Sequence, residues 1–234
     1  MSASMSVVIP AAGEGQRLGR RPPKAAVMLS GKPLLAHAIR PFLTFDQLVE
    51  LVIVEPADTS FRSHLEGHLS DMGRIQFVKG GTSRLASVRN GVNALREPGE
   101  IIMVHDAARP LLTPELIRRV YEQTSETGAA IPVLPIPDTV KRVHEQRVKE
   151  TVDRDELYRA QTPQGMRRTY YEEGLRQLAD DEDRAASLTD DADVVQVAGY
   201  EVRTVEGDWR NFKITYPDDL QRAERLMNGD EGRG

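Results

Sequence analysis

Short apolar runs alternate with amphipathic stretches along most of the chain. Ser6–Pro10, Leu51–Val54, Ile75–Val78 and Ile101–His105 carry β-branched residues without regular polar alternation. Such runs suit parallel strands covered on both faces. Between them, Leu85, Val88, Val92 and Leu95 fall at helical spacing and make one stripe. Leu116, Ile117, Val120 and Tyr121 make another, with Thr113 as N-cap, Pro114 and Glu115 in the first turn and Gly128 as the stop. Thr215–Asp218 opens a last helix that runs to about Met227, with Thr215 as its cap. The βαβα order through residue 130 predicts an α/β fold with a mostly parallel sheet and helices on both faces. Pro41 interrupts the helical pattern of Leu34, Leu35 and Ile39 and predicts an end or kink there.

Residues 135–163 break the alternation. Thr139–Val143 and Val148–Val152 flank His144–Arg147 and read as a β-hairpin. It is too polar to hold a core of its own, and an isolated hairpin is marginal in water. Two placements stay open: an edge hairpin lying on its own sheet, or a protruding arm, spanning about 136–156, that packs on a second subunit. The expected organisation is one domain over 1–228 with this arm inserted, and a disordered tail at 229–234.

The 234 residues suffice for a core without staples, since a chain of this size buries roughly 70% of its extended surface. Cysteine is absent, which excludes disulfides, thiolate metal sites and a thiol nucleophile. No stretch approaches the length of a membrane span, and Met1–Ser6 has no basic region of the secretory kind. A soluble cytoplasmic protein is the expectation. A net charge of −5 and 5% aromatic residues disfavour nucleic-acid binding.

The strongest chemical signal follows the first apolar run, at Pro10-Ala11-Ala12-Gly13-Glu14-Gly15-Gln16-Arg17-Leu18-Gly19-Arg20-Arg21-Pro22-Pro23-Lys24. Small residues let backbone N–H groups approach an anion, and a glycine-rich turn at the carboxyl end of a strand is where α/β sheets hold phosphate. The dinucleotide fingerprint fails at Leu18, and Gly31-Lys32-Pro33 is not a P-loop. His64 and His68 are four apart but lack the metalloprotease spacing, so a solvated helix face explains them. Asp180–Asp183 reads as a loop, and Asp190-Asp191 as an N-cap with an acidic first turn.

The loop P-A-A-G-x-G-x-R-x-G followed by P-K resembles the sugar-phosphate nucleotidylyltransferases. Further segments are similar to the 2-C-methyl-D-erythritol 4-phosphate cytidylyltransferase family within them: Gly80–Val88, Val104–Pro110, Asp138–Lys141, Val152–Arg154, Gln161–Gln164, Thr189–Ala192 and Asn211–Thr215, in the family's order across residues 7–220. Their spread across the chain makes a single domain the expectation. The chain departs from the family at Ala25-Ala26, where glutamine and an aromatic residue are usual, and at Arg20-Arg21 and Pro22-Pro23.

The resemblance implies a Rossmann-like nucleotidyltransferase fold and CMP transfer from CTP to methylerythritol phosphate, with Mg2+ carried mainly by the CTP phosphates. It implies Arg17 and Lys24 as catalytic residues that stabilise charge on the α-phosphate. Nucleotide binding falls to Pro10, Ala11, Ala12, Gly13, Gly15, Gly81, Thr82, Arg84, Ser87 and Ala107, with backbone carbonyls near Ala11, Gly81 and Thr82 accepting from the cytosine amino group. The acceptor, a small polyol phosphate, falls to Asp106, Arg109, Thr139, Arg154, Thr162 and Lys213. No protein ligand of the metal is assigned. The arm would make a homodimer and carry Arg154 into the neighbour's site. Two alternatives remain: a ribitol 5-phosphate cytidylyltransferase, which shares most of these motifs, and a non-catalytic nucleotide-binding module.

Overall fold

The computed structural model describes residues 2–13, 23–69, 71–179 and 181–229. The elements in chain order are β1 (Met5–Pro10), β2 (Met28–Leu29), β3 (Lys32–Pro33), α1 (Leu34–Ile39), β4 (Leu48–Glu55), α2 (Arg62–Leu65), β5 (Ile75–Lys79), α3 (Arg84–Asn93), β6 (Ile101–Val104), α4 (Pro114–Thr127) and β7 (Ala129–Pro135). Then come β8 (Val140–His144), β9 (Arg147–Val152), β10 (Tyr158–Ala160), β11 (Gln164–Arg167), α5 (Arg168–Gln177), α6 (Glu182–Ser187), α7 (Asp191–Val197), β12 (Arg203–Glu206) and α8 (Pro217–Met227).

Three of the apolar runs became the centre of the sheet, and the fourth, Ile75–Val78, became its edge strand β5 with only Ile75 buried, so it is not covered on both faces as expected. Strand β1 pairs parallel with β4 on one side and β6 on the other, and β4 pairs parallel with β5. Strand β11 inserts antiparallel between β6 and β7, and β12 joins β7 in parallel. The sheet is mixed but mostly parallel. Strands β10 and β11 form one antiparallel path along β7, broken at Gln161–Pro163, where the Thr162–Pro163 peptide bond is cis.

Alternate residues of each strand feed two cores. Val7, Ile9, Leu51 and Ile53 face α1 and α4, whereas Val8, Val52 and Val54 face α3, α5 and α7. Helix α3 approaches β1 closely because Gly91 has no side chain: a Cβ there would sit 2.6 Å from Val8 Cγ1. Helix α4 starts and stops as its sequence predicts, with Thr113 Oγ1 accepting from Leu116 N and Gly128 at φ 98°. Helix α1 ends at Ile39, ahead of Pro41, and a 3-10 turn at Phe42–Thr44 follows. The cap of α8 differs from expectation. Tyr216 is the N-cap, and Asp219 accepts from the backbone N–H of both Thr215 and Tyr216, because a carboxylate inside the first turn reaches back across the cap.

Strands β8 and β9 pair only with each other. Their turn uses Glu145 and Gln146 at positive φ, 49° and 61°. Residues 141–151 are exposed throughout. The hairpin therefore stands off the main sheet, as the protruding placement requires, and not along a sheet edge. The tail expected at 229–234 lies outside the described residues apart from Gly229.

Candidate active site

In an open α/β sheet, ligands bind beyond the carboxyl ends of the strands where the strand order reverses. Here the chain runs outward from β1 to β4 and β5, then returns to lay β6 on the other side of β1. The reversal lies between β1 and β6. A cleft of about 780 Å³ opens there, lined by Pro10–Gly13 after β1, Gly81–Arg84 and Ser87 at the start of α3, Asp106–Ala108 after β6, and Lys24, Ala25, Lys213 and Thr215.

Local chemistry explains the wall formed by α3. Ser83 caps the helix by accepting from Ala86 N at 3.0 Å, and Ser87 Oγ accepts from Gly81 N at 3.1 Å. Gly80 and Gly81 are needed for this fold-back: a Cβ on Gly80 would lie 2.7 Å from Ala12 Cβ, and one on Gly81 2.6 Å from Ala86 Cβ. The positive end of a ten-residue helix then faces the cleft. Opposite, Lys24 begins a 3-10 turn whose Ala25 and Ala26 are buried. The departure from the family at these two positions is thus a pair of small residues packed into the core.

Asp106 is the carboxylate among the described lining residues. Its Oδ2 meets Lys213 Nζ at 3.0 Å and Arg109 Nε at 3.5 Å, and its Oδ1 lies 3.7 Å from Arg84 Nη2. Burial alone would raise its pKa. Lys213, Arg84 and Arg109 outweigh that and hold the carboxyl well below the usual carboxylate range.

Behind Asp106 runs a buried hydrogen-bond chain. His105 Nε2 lies 3.2 Å from the Arg109 carbonyl. A carbonyl only accepts, so Nε2 carries the proton and Nδ1 is an acceptor. Thr162 Oγ1, 3.0 Å away, donates to that Nδ1 and itself accepts from Asp106 N at 3.1 Å. Burial pulls the His105 pKa down to about 4 against the opposing effect of Asp106, so the imidazole is neutral at pH 7. Arg109 Nη1 donates to Asn211 O at 2.8 Å, and Asn211 Nδ2 donates to Thr162 O at 2.7 Å.

Arg84 is held from the other side. Its Nη2 donates to Asp191 Oδ2 at 2.7 Å. Asp191 is fully buried, and its Oδ1 accepts from Tyr171 Oη at 2.7 Å. Burial opposes the charge on Arg84, but Asp191 and then Asp106 outweigh it and raise its pKa. Burial and Asp191 together push Tyr171 well above its ordinary value, so it stays an O–H donor.

The structure therefore brings together Pro10, Ala11, Ala12, Gly13, Lys24, Gly81, Thr82, Arg84, Ser87, Asp106, Ala107 and Lys213 in one cleft. Arg109 and Thr162 are not on its surface. Both are buried behind Asp106, because their polar atoms are taken up by its carboxylate, its N–H and the Asn211 segment. Thr139 and Arg154 are exposed at the base of the hairpin, away from this cleft, and Arg154 Nη1 donates to Pro137 O. Arg17 and Gly15 lie outside the described residues. The sequence reading missed Asp191 and Tyr171. Asp190 and Asp193 form a capping box at the start of α7, so the cap does not need the Asp191 side chain, and that spare acid was the signal that something else needed a charge.

Comparisons with known proteins bear on the family and the fold. The family model described as IspD, 2-C-methyl-D-erythritol 4-phosphate cytidylyltransferase, matches residues 5–229. A 2-C-methyl-D-erythritol 4-phosphate cytidylyltransferase of Cereibacter sphaeroides is 40% identical over 224 residues, covering 95% of this chain and 96% of that protein. One of Syntrophus aciditrophicus is 35% identical over 236 residues, covering 100% of both. The crystal structure of the 2-C-methyl-D-erythritol 4-phosphate cytidylyltransferase from Thermus thermophilus superposes with a TM-score of 0.79 at 31% identity, covering 97% of this chain and 100% of that one.

Proposed function

The chain belongs to the 2-C-methyl-D-erythritol 4-phosphate cytidylyltransferase family, and on that premise we propose that the cleft between β1 and β6 is where CTP and its acceptor meet. The enzyme transfers CMP from CTP to 2-C-methyl-D-erythritol 4-phosphate. The products are 4-diphosphocytidyl-2-C-methyl-D-erythritol and pyrophosphate, on the non-mevalonate route to isoprenoids.

One observation carries the assignment of the site. Lys24, Arg84, Lys213 and the start of α3 converge on a cleft whose described lining holds a single carboxylate, Asp106. That is a surplus of donors for phosphate oxygens and a shortage of bases that could activate the lining hydroxyls of Thr82, Ser83, Ser87 and Thr215. The reaction needs no base. A phosphate monoester has its second pKa near 6 and is largely dianionic at pH 7. One of its oxygens attacks the α-phosphorus of CTP in line, the bond to the bridging oxygen breaks, and pyrophosphate leaves with the electron pair. Positioning and charge stabilisation are what the protein supplies.

In this reading the Pro10–Gly13 backbone cradles the triphosphate, and Lys24 with Arg17 stabilises the pentacoordinate α-phosphate. Gly81, Thr82, Arg84 and Ser87 hold the base and ribose. Lys213 binds the acceptor phosphate, and Asp106 accepts from the acceptor hydroxyls. Arg109 and Thr162 serve by fixing Asp106. Mg2+ takes phosphate oxygens, water and one or two carboxylates, a donor set that CTP and Asp106 satisfy. Bound there, it would offset the negative charge of the triphosphate.

A homodimer is part of the same proposal. Val143 and Val148 are 56% and 63% exposed and face each other in the hairpin register, an apolar pair that a second copy would cover. Thr139 and Arg154 would then reach the acceptor in the neighbour's cleft. A cytoplasmic location suits substrates too highly charged to cross a bilayer. No helix among the described residues is long and apolar enough to cross a membrane.

The test is pyrophosphate release with Mg2+ and CTP, UTP, ATP or GTP against methylerythritol, ribitol and hexose phosphates. Release with CTP and methylerythritol phosphate, lost in Lys24→Ala and Arg17→Ala, supports the reading. Release with ribitol phosphate instead moves the acceptor assignment. Binding of CTP without release in any combination rejects catalysis at this cleft.

A further inference from the structure

A buried ion pair is an expensive way to fill a core. A carboxylate removed from water is tolerated only when paired and hydrogen-bonded, and an apolar replacement is often as stable. Asp191 is fully buried at the start of α7, yet it faces the cleft only through another residue. Its two oxygens are assigned separately: Oδ1 to the Tyr171 hydroxyl at 2.7 Å and Oδ2 to Arg84 Nη2 at 2.7 Å. Its own backbone N–H donates to Gln164 Oε1 at 2.9 Å, which fixes the helix end that carries it. Three elements, α3, α5 and α7, thus meet at one carboxylate.

The Arg84 guanidinium has a second acid to choose. Arg84 Nη2 is 2.7 Å from Asp191 but 3.7 Å from Asp106 Oδ1. Asp191 therefore holds Arg84 about an ångström short of full contact with Asp106, and Asp106 keeps Lys213 at 3.0 Å as its close partner. Without Asp191, the simplest relaxation brings Arg84 onto Asp106 and away from the nucleotide wall.

We propose that Tyr171 and Asp191 are positioning residues: they set where the Arg84 guanidinium stands in the cleft and keep it from collapsing onto Asp106. The proposal rests on Arg84 contacting the nucleotide, so its experiment separates the two. Tyr171→Phe removes one hydroxyl and leaves the buried ring. Asp191→Asn keeps the shape and removes the charge. Steady-state kinetics with CTP varied and the acceptor saturating are run on the wild type, both variants, Arg84→Ala and the Tyr171→Phe, Arg84→Ala double variant, each checked for folding by thermal melting.

Tyr171→Phe is expected to raise KM for CTP about three- to tenfold, the effect of one hydrogen bond, with kcat within about twofold. Asp191→Asn should raise it further. In the Arg84→Ala background the Tyr171→Phe effect should vanish, because a residue that acts only through Arg84 has nothing left to position. A purely structural role for the hydroxyl would move KM equally in both backgrounds, and that result overturns the proposal. So does an unchanged KM in folded Tyr171→Phe. If Arg84→Ala alone leaves KM for CTP unmoved, the nucleotide contact fails, whatever Tyr171 does. If Asp191→Asn does not fold, Tyr171→Phe and its double variant decide the question alone.

Discussion

Replacing Thr162 by valine removes one hydroxyl from the chain of bonds behind Asp106. That oxygen accepts from Asp106 N at 3.1 Å and donates to His105 Nδ1 at 3.0 Å. Thr162, His105 and Asp106 are all buried, so water does not readily replace either bond. Two polar groups are stranded, a backbone donor and an imidazole acceptor. Each costs about 1–3 kcal/mol when left unsatisfied, and partial relaxation brings the expected total to about 2–4 kcal/mol. That is a large share of the stability of an ordinary domain. Thr162→Ser keeps the hydroxyl and loses only a methyl group, for about 1 kcal/mol. Urea denaturation at one protein concentration measures the difference directly. Valine should fall well below serine, and the folded valine variant should lose activity because the Asp106 backbone is no longer tethered. If the two variants denature alike, or if valine lies within about 0.5 kcal/mol of wild type, the hydroxyl does not hold this corner together.

Stability should fall as the pH is lowered from about 6.5 through about 4. The folded His105 pKa of about 4 lies below its ordinary value of 6.5, so the unfolded chain binds the extra proton in that window and is favoured by it. The difference corresponds to about 3 kcal/mol, and denaturation midpoints against pH should lose this slope in His105→Gln. Lys213→Ala removes the closest cation to Asp106. It should raise KM for the acceptor by about ten- to a hundredfold, the range for a charge-assisted bond, and the melting temperature should also fall, because nearly buried Asp106 loses its closest cation and keeps only the longer contacts to Arg109 and Arg84. Val143→Glu together with Val148→Glu places charge on the hairpin's apolar pair. The double variant should elute at the mass of one chain and need more acceptor for half-saturation. A wild-type protein that is active at one chain's mass refutes the role given to the hairpin.

The parts of the fold that the sequence announced are those built from uninterrupted apolar runs. Strands β1, β4 and β6 lie within the covered centre of the sheet, where both faces demand Val, Ile or Leu; β5 carries the same kind of run but lies at the sheet's edge, with only Ile75 buried. The parts it hid are paired through polar or proline-containing residues. Strand β7 carries Pro132 and Pro135, which argue against a strand on propensity, yet Pro132 O accepts from Gln161 N at 2.8 Å and carries the pairing one residue beyond β10. Strand β11 reads Gln-Gly-Met-Arg. It is buried because the Gln164 side chain satisfies the N-terminal amides of α7, bonding Asp191 N and Ala192 N, and no periodicity encodes that. Cleft residues were legible where they sit in contiguous motifs after a strand, as Pro10–Gly13 and Asp106–Ala107 do. Thr162 and Arg109 sit in equally recognisable motifs, but a motif marks a corner of the site without saying which side chain faces the ligand and which holds the wall.

The placement of acids suggests how an enzyme of net charge −5 keeps a cleft for polyanions. Its cations are not simply scattered around the opening. Asp191, fully buried, fixes Arg84, and Asp106, nearly buried, gathers Lys213 and Arg109 and lies 3.7 Å from the same Arg84 nitrogen. Each acid neutralises part of the field it organises, which weakens long-range attraction for CTP. In exchange the donors hold fixed directions before the substrate arrives, and donors that need no reorganisation stabilise a transition state better than mobile ones of the same charge. Glu55 shows the contrast away from the cleft. Its carboxylate is buried and bonds Phe61 N at 2.9 Å, while Lys79 reaches it at 3.0 Å from a half-exposed position; that pair closes a loop and leaves no cation facing a cavity. The same chemistry serves the fold there and the reaction at Asp106, and what separates them is whether the paired cation still borders open space.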